Sequence, residues 1–175
     1  SFGSNATWVS NFSQNYIQGV RQGSQSRMLI MPGNFPGLGS IDRNPQMEAG
    51  TVRKTLDELQ ASDLVPFIDS AKQRDFDGLM VSNARYQGLQ GNLAELSAPI
   101  SLDAQTLQQV MGLDGLKQWY EAGGILMTDK LGSQAIRRYY DPTNTAFDGR
   151  TVARNAFLAG NDLLYLSSFL EPNDP

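Results

Sequence analysis

The chain contains no cysteine and no histidine among its 175 residues. Without cysteine there is no disulfide framework, no thiolate metal site and no thiol nucleophile. Without histidine there is no serine–histidine triad, no imidazole acid or base and no imidazole metal ligand. No metal site and no cofactor are expected. A strong charge of one sign is also missing: 14 Lys and Arg stand against 18 Asp and Glu, a net −4. No basic block interrupts that balance, so neither nucleic acid nor an anionic membrane surface is an expected partner. No run is long and apolar enough to cross a bilayer, and the first residues lack the basic-then-apolar pattern of a secretory signal. What remains is 40% hydrophobic and 18% charged, a globular composition at a length that supports one domain with a sizeable core.

The densest loop signal is Gly33-Asn34-Phe35-Pro36-Gly37-Leu38-Gly39-Ser40, just after the apolar run Met28-Leu29-Ile30-Met31. Glycine has no Cβ and lets backbone approach whatever the loop faces. Upstream, Ser4 or Asn5 is placed to cap a helix carrying Trp8, Phe12, Tyr16, Ile17 and Val20 on one face, with the aromatic set read as core. Asn5-Ala6-Thr7 and Asn11-Phe12-Ser13 are glycosylation sequons, meaningful only in a eukaryotic secretory setting. Residues 28–31 are read as a buried strand, followed by a long loop to about Gly50. Leu56 and Leu59 suggest a helical turn. Leu64, Phe67, Ile68 and Ala71 have helical spacing, with Ser62 or Asp63 as cap and Pro66 in the first turn. Gly78–Ser82 is the second expected strand. Asp103 caps a helix with Leu107, Val110 and Met111, and Leu116, Trp119 and Tyr120 form a further helical turn. Ile125–Thr128 is the third strand, ending at Asp129-Lys130. Residues 150–158 are expected helical with Val152, Ala153, Ala156 and Phe157 inward, and Leu163–Leu166 is the fourth strand.

These strands are continuous apolar runs, as in a parallel sheet covered on both faces. Helices separate them, so the fold class is α/β. About four βα units make either a small open sheet or half of a (β/α)8 barrel. A whole barrel typically takes about 250 residues.

The loop segment Asn34-Phe35-Pro36-Gly37-Leu38-Gly39 resembles the Lys-His-Phe-Pro-Gly-His-Gly signature of glycoside hydrolase family 3, in the branch of β-N-acetylglucosaminidases. Further likenesses follow in order along the chain. Ser1-Phe2-Gly3-Ser4 resembles the family's Arg-Ser-Phe-Gly. Residues 59–67 resemble its Leu-x-x-x-Asp-Leu-x-Pro-Phe helix, and residues 78–89 its Val-Met-Thr-Ala-His-Val strand and loop. Pro99-Ile100-Ser101-Leu102 resembles Pro-Ala-Thr/Ser-Leu-Ser. Residues 124–129 resemble Gly-Val-Ile-Val-Thr-Asp, and residues 159–164 resemble Ala-Gly-x-Asp-x-Leu. The resemblance implies a partial (β/α)8 TIM-like barrel, its C-terminal half or slightly more. Residues 1–175 are then a single, N-terminally incomplete domain, with the preceding residues elsewhere in the gene product, in another chain, or removed.

By the same resemblance, the activity is cleavage of a β-glycosidic bond with retention, one carboxylate attacking the anomeric carbon while a second group protonates the leaving oxygen. Asp129 occupies the nucleophile position; read from spacing alone it is more simply an aspartate capping the following helix. The family's acid/base histidine and its partner aspartate fall at Gln46 and Asn44. Amides do not titrate. The sugar-clamping Lys-His pair falls at Gly33 and Asn34, and another substrate-facing histidine at Asn83. Leu38 replaces the second histidine of the signature. Lys130 stands where many relatives have a second aspartate, which offers an ammonium beside Asp129. Asp42, on the same loop, is the substitute acid/base if the loop swings, against a local turn role. Glu48, Glu58 and Glu95 are further carboxylates that spacing does not select.

The expected function is a glycosidase-like domain with impaired catalysis, acting as a structural or binding module. The alternative is an active β-N-acetylhexosaminidase or β-glucosidase with Asp129 as nucleophile. Expected partners are carbohydrate and either a complementary half-barrel chain or a second copy, because a half barrel leaves strand edges uncovered.

Overall fold

The computed structural model describes residues 3–45, 47–92 and 97–170. The elements are α1 (Ala6–Gly23), β1 (Gly33–Phe35), β2 (Thr51–Thr55), α2 (Leu56–Gln60), α3 (Val65–Gln73), β3 (Gly78–Val81), β4 (Arg85–Tyr86) and α4 (Gln87–Gln90). A 3-10 turn at Ile100–Leu102 then leads to α5 (Ala104–Met111), α6 (Leu116–Glu121), β5 (Ile125–Thr128), α7 (Gln134–Tyr140) and α8 (Gly149–Leu158).

The main sheet has the order β1-β3-β5, all parallel. Phe35 lies opposite Val81, and Val81 opposite Thr128. Leu163 extends the sheet by a single parallel bridge to Met127. This is a partial, unclosed parallel sheet with flanking helices, an incomplete (β/α)8-like barrel. Side chains alternate across a strand. Leu79, Val81, Leu126 and Thr128 are buried, whereas Met80, Ile125 and Met127 on the other face are only half-buried. The expectation of a sheet covered on both faces is thus corrected: one face is sealed and the other is partly open.

Several local expectations also change. The run 28–31 is not a strand: Met28 and Leu29 are exposed, and pairing begins with the carbonyls of Ile30 and Pro32, which accept from Asp77, Gly78 and Met80 N–H. The chain enters the sheet there because Asp77 holds it. Its carboxylate accepts the Ile30 N–H at 2.8 Å and pairs with Arg21 of α1 at 3.0 Å. The loop read from Gly33 therefore begins as β1, and β2 pairs in parallel with β4 in a small second sheet. Leu163–Leu166 stays outside any strand, apart from that bridge.

The capping of α1 is as expected: the Asn5 side chain accepts from Trp8 N–H at 3.0 Å. Its buried face is not. Trp8, Phe12 and Tyr16 are 64%, 50% and 63% exposed. At about 100° per residue these three lie well round the helix from Ser10, Ile17 and Arg21, which make the contacts. Ile17 is buried, and Ser10 Oγ donates to Asp69 of α3 at 2.8 Å. Helix α3 has Pro66 in its first turn, but Leu64 at its N-cap makes no side-chain cap bond. Ser62 and Asp63 instead hold Lys54. In α8, Val152 and Ala156 face inward as expected, while Phe157 is exposed.

Packing divides into a large cluster around Phe35, Leu59, Leu79, Tyr86, Leu126 and Trp119, and a small one of Leu131, Ile136, Phe147, Val152 and Ala156. The small cluster lies under α7 and α8. Helix α7 was not foreseen from the sequence. Ser133 caps it by accepting from Ile136 N–H at 3.4 Å.

Candidate active site

In parallel α/β sheets, sites are built beyond the carboxyl ends of the strands. Parallel register brings three such ends together here. Ser82 N–H, just after β3, donates to Phe35 O at 2.9 Å, and Asp129 N–H, just after β5, donates to Val81 O at 2.8 Å. The Gly37 loop, Ser82-Asn83 and Asp129 are therefore neighbours across one sheet end.

Asp129 is 5% exposed. Its Oδ1 accepts the backbone N–H of Lys130 at 2.7 Å, and no other hydrogen bond to its carboxylate occurs among the described residues. The Lys130 ammonium forms no ion pair with it within 4.0 Å among those residues, so Lys130 meets Asp129 through its backbone. Asn83 is 1% exposed. Its Nδ2 donates to Lys130 O at 2.9 Å, and its Oδ1 accepts from Ser101 Oγ at 2.7 Å. The structure thus brings two sequence-nominated residues, Asp129 and Asn83, into one hydrogen-bonded group. Asn34 is half-buried on β1, next to Phe35.

The loop after β1 is fixed from beneath. Tyr86 is fully buried, and its hydroxyl donates to Gly37 O at 2.9 Å. Ser82 Oγ, 3.1 Å from that hydroxyl, is then the donor to it. Burial pushes the Tyr86 phenol well above its usual range, so it stays a neutral donor. Gly37 has φ +134, and a Cβ there would lie 2.5 Å from Asp63 Cβ. Asp63 is paired with Lys54 and accepts from Ser62 Oγ at 2.8 Å. The adjacent residues Ser82 and Asn83 therefore serve two ends: one steadies the glycine loop, the other reaches Lys130. Leu38 packs against the large core cluster.

The remaining nominated residues that the structure describes make their hydrogen bonds elsewhere. Asp42 Oδ1 accepts from Thr51 N–H at 2.8 Å, its backbone N–H donates to Thr51 O at 3.3 Å, and Arg53 stands 3.9 Å from Oδ2. Glu48 pairs with Arg43 at 2.6 Å. Asn44 is exposed, and its carbonyl accepts from Met47 and Glu48 N–H. Gln46 and Glu95 lie outside the described residues. Glu58 closes the capping box of α2, where hydrogen bonds from Thr55 hold its carboxyl below the usual range. Among the described residues, no group of three or more Asp and Glu is placed to hold a metal ion.

Ser101 and Asn161 escaped the sequence reading of the site. Each falls within a segment that resembles the family, Ser101 at its Thr/Ser position and Asn161 at a variable one, but neither segment carried a site role in the sequence, and both residues are buried. Asn161 Nδ2 donates to Ser101 O at 2.8 Å and to Ala156 O at 2.7 Å.

Residues 1–169 match the family model described as the glycosyl hydrolase family 3 N terminal domain. A beta-hexosaminidase of Tolumonas auensis is 27% identical over 131 residues, which is 75% of this chain and 35% of that protein. The solved M tuberculosis LpqI is 26% identical with a TM-score of 0.73, over 97% of this chain and 45% of that one. A family 3 beta-N-acetylglucosaminidase from Paenibacillus sp. str. FPU-7 superposes with a TM-score of 0.73 at 21% identity, over 95% of this chain and 28% of that one. The chain spans about a third of the length of the curated relative it matches.

Proposed function

Because this chain belongs to glycosyl hydrolase family 3, we propose that it is a glycosidase-like module that binds β-linked carbohydrate at the carboxyl end of its sheet and is impaired in proton transfer. Its branch is that of the β-N-acetylglucosaminidases, supported by the named activity of the Tolumonas relative and by the Asn34–Gly39 segment. Asp129 holds the nucleophile position. A retaining cleavage needs that carboxylate to attack the anomeric carbon, and a second group to protonate the departing oxygen as the glycosidic C–O bond breaks. The observation that carries the impairment is the state of the loop after β1. Both its carboxylates are engaged locally, Asp42 with Thr51 and Glu48 with Arg43, and its acid/base positions carry the amides Asn44 and Gln46. Loss of general acid/base help lowers a rate by about 10²–10⁴. Carbohydrate is the ligand of this reading, and a complementary half-barrel chain or a second copy is the macromolecular partner.

The second reading, an active β-N-acetylhexosaminidase or β-glucosidase, is favoured by one observation: Asp129 is buried at the strand end with one carboxylate oxygen unengaged among the described residues. One experiment separates the two. The chain is given N,N′-diacetylchitobiose, and separately a dinitrophenyl N-acetyl-β-glucosaminide whose leaving group needs no proton. Impairment predicts binding of the disaccharide without cleavage, and release of dinitrophenolate that Asp129→Asn abolishes. Sustained cleavage of the disaccharide would replace the first reading with the second.

A further inference from the structure

We propose that Ser101 and Asn161 are positioning residues for the Asp129 carboxylate, acting through Asn83 and the backbone of Lys130; this rests on the reading of Asp129 as the nucleophile position. The chain of donors is continuous. Asn161 Nδ2 donates to Ser101 O, Ser101 Oγ to Asn83 Oδ1, Asn83 Nδ2 to Lys130 O, and Lys130 N–H to Asp129 Oδ1, at 2.8, 2.7, 2.9 and 2.7 Å. Every side chain in it is at least nine-tenths buried, where an unmade hydrogen bond is costly and geometry is therefore specified.

Each link fixes the next. A buried serine hydroxyl must donate, and it donates to Asn83 Oδ1. That leaves only the Asn83 amino group to face Lys130 O, so the amide has one orientation. Asn161 is oriented by its Nδ2 alone, which donates to two carbonyls, while its Oδ1 is buried without a hydrogen-bond partner among the described residues. The peptide joining Lys130 to Leu131 is then held at both ends: its carbonyl by Asn83, and its N–H by Tyr165 O at 2.9 Å. The peptide before Asp129 is held by Val81 O at 2.8 Å. Asp129 and Lys130 lie between two fixed peptides, and the Lys130 N–H sets which way the carboxylate points. Three segments that follow or join the strand ends, 82–83, 100–102 and 159–161, are thus linked to one carboxylate to which none of them donates a hydrogen bond among the described residues.

The test is a 1H–15N spectrum and amide exchange on the full chain for Ser101→Ala and Ser101→Thr. Loss of the hydroxyl frees the Asn83 amide. The Lys130 amide proton should move upfield and exchange about tenfold faster or more, while amides of β3 keep the parent rate. Ser101→Thr retains a donor and should restore the Lys130 signal. If Ser101→Ala does not fold, Ser101→Cys, whose thiol is a weak donor, should show the same selective change. A Lys130 signal at its parent position in folded Ser101→Ala overturns the proposal, and so does a uniform rise in exchange across the core. The outcome is separable from the nucleophile reading: dinitrophenolate release that survives Asp129→Asn would remove that reading and leave the Lys130 signature intact.

Discussion

Gly37 is where a single atom decides most. Its φ of +134 and the 2.5 Å separation between an added Cβ and Asp63 Cβ leave no room for any side chain. Gly39 is less constrained, with an added Cβ 3.0 Å from Asp63 Oδ1. Gly37→Ala should therefore destabilise the chain by about 1–3 kcal/mol more than Gly39→Ala does, since it adds backbone strain to the clash. Urea unfolding of both variants checks the order, and equal midpoints would contradict it. Tyr86→Phe removes the donor to Gly37 O without changing the shape of the core. It should cost about 1–3 kcal/mol, the penalty for leaving a buried carbonyl and the Ser82 hydroxyl without their partner, read from the same denaturant midpoint. At this scale the sequence was only partly legible. Asp129 and Asn83 stood out because a family resemblance gave their positions a role. Ser101, Asn161 and Tyr86 did not, because a buried hydrogen bond joins residues far apart in the chain, and nothing in local spacing marks which serine or tyrosine will be buried.

Among the elements, α5 shows why some local signals were reliable. Asp103 precedes it, and its carboxylate accepts from Thr106 N–H at 3.1 Å, from Thr106 Oγ1 at 2.7 Å and from Gln90 Nε2 at 2.8 Å. Burial alone would raise the Asp103 carboxyl, but these hydrogen bonds outweigh it and hold it below the ordinary aspartate range. A depressed folded-state value means the charged form stabilises the fold. That contribution is complete above the unfolded value of about 4 and is lost as pH falls below it. Asp103→Asn keeps a cap but does not titrate, so its stability should fall less steeply than the parent's as pH drops below about 4. Asp103→Ala should lose about 1 kcal/mol at neutral pH. Parallel acid-unfolding curves for Asp103→Asn and the parent would contradict the assignment. Such a cap is local and readable, as were α2, α3, α6, β3 and β5, whose residues carry both propensity and burial. Helix α1 was readable as a helix, but not for its buried face. Trp8, Phe12 and Tyr16 form the more apolar stripe, yet Ser10 and Arg21 make the polar contacts that turn the helix onto α3 and Asp77. The runs 28–31 and 163–166 are as apolar as β3. Only Ile30 and Leu164 of these runs pack against a core cluster, while Met28, Leu29, Leu163, Tyr165 and Leu166 are exposed, a difference that composition does not encode.

The two packing clusters give the whole molecule an uneven stability. The large cluster is enclosed by the sheet and by α3, α5 and α6. The small one, under α7 and α8, is joined to it through Leu102, the Asn161–Ser101 bond, the bridge at Leu163, and hydrogen bonds that tie Asp162 to Leu126 and Tyr120, and Tyr165 to Thr128. The contacts that oppose local opening of residues 131–169 are therefore concentrated at Leu102 and residues 161–165, away from α7 and most of α8, and opening of a unit requires only the loss of its own contacts. Native-state hydrogen exchange should show α7 and α8 amides opening at a lower free energy than those of β3 and β5. Phe147 is the residue on which that unit closes. It is 3% exposed, its ring lies 6.0 Å from Phe169 in an edge-to-face arrangement, and the Arg137 guanidinium stands 4.2 Å above its centre. Phe147→Ala leaves a cavity and takes the ring from beneath a buried cation, at a cost of about 3–5 kcal/mol. If the small cluster is a separate unit, that loss falls on α7 and α8, whose amides should exchange at least about 100-fold faster, while β3 amides move little under conditions where the chain stays folded. Equal acceleration in both regions would mean that the chain opens as one unit. The strand-end group at Asp129 would then share the stability of the large cluster instead of sitting at the joint between the two.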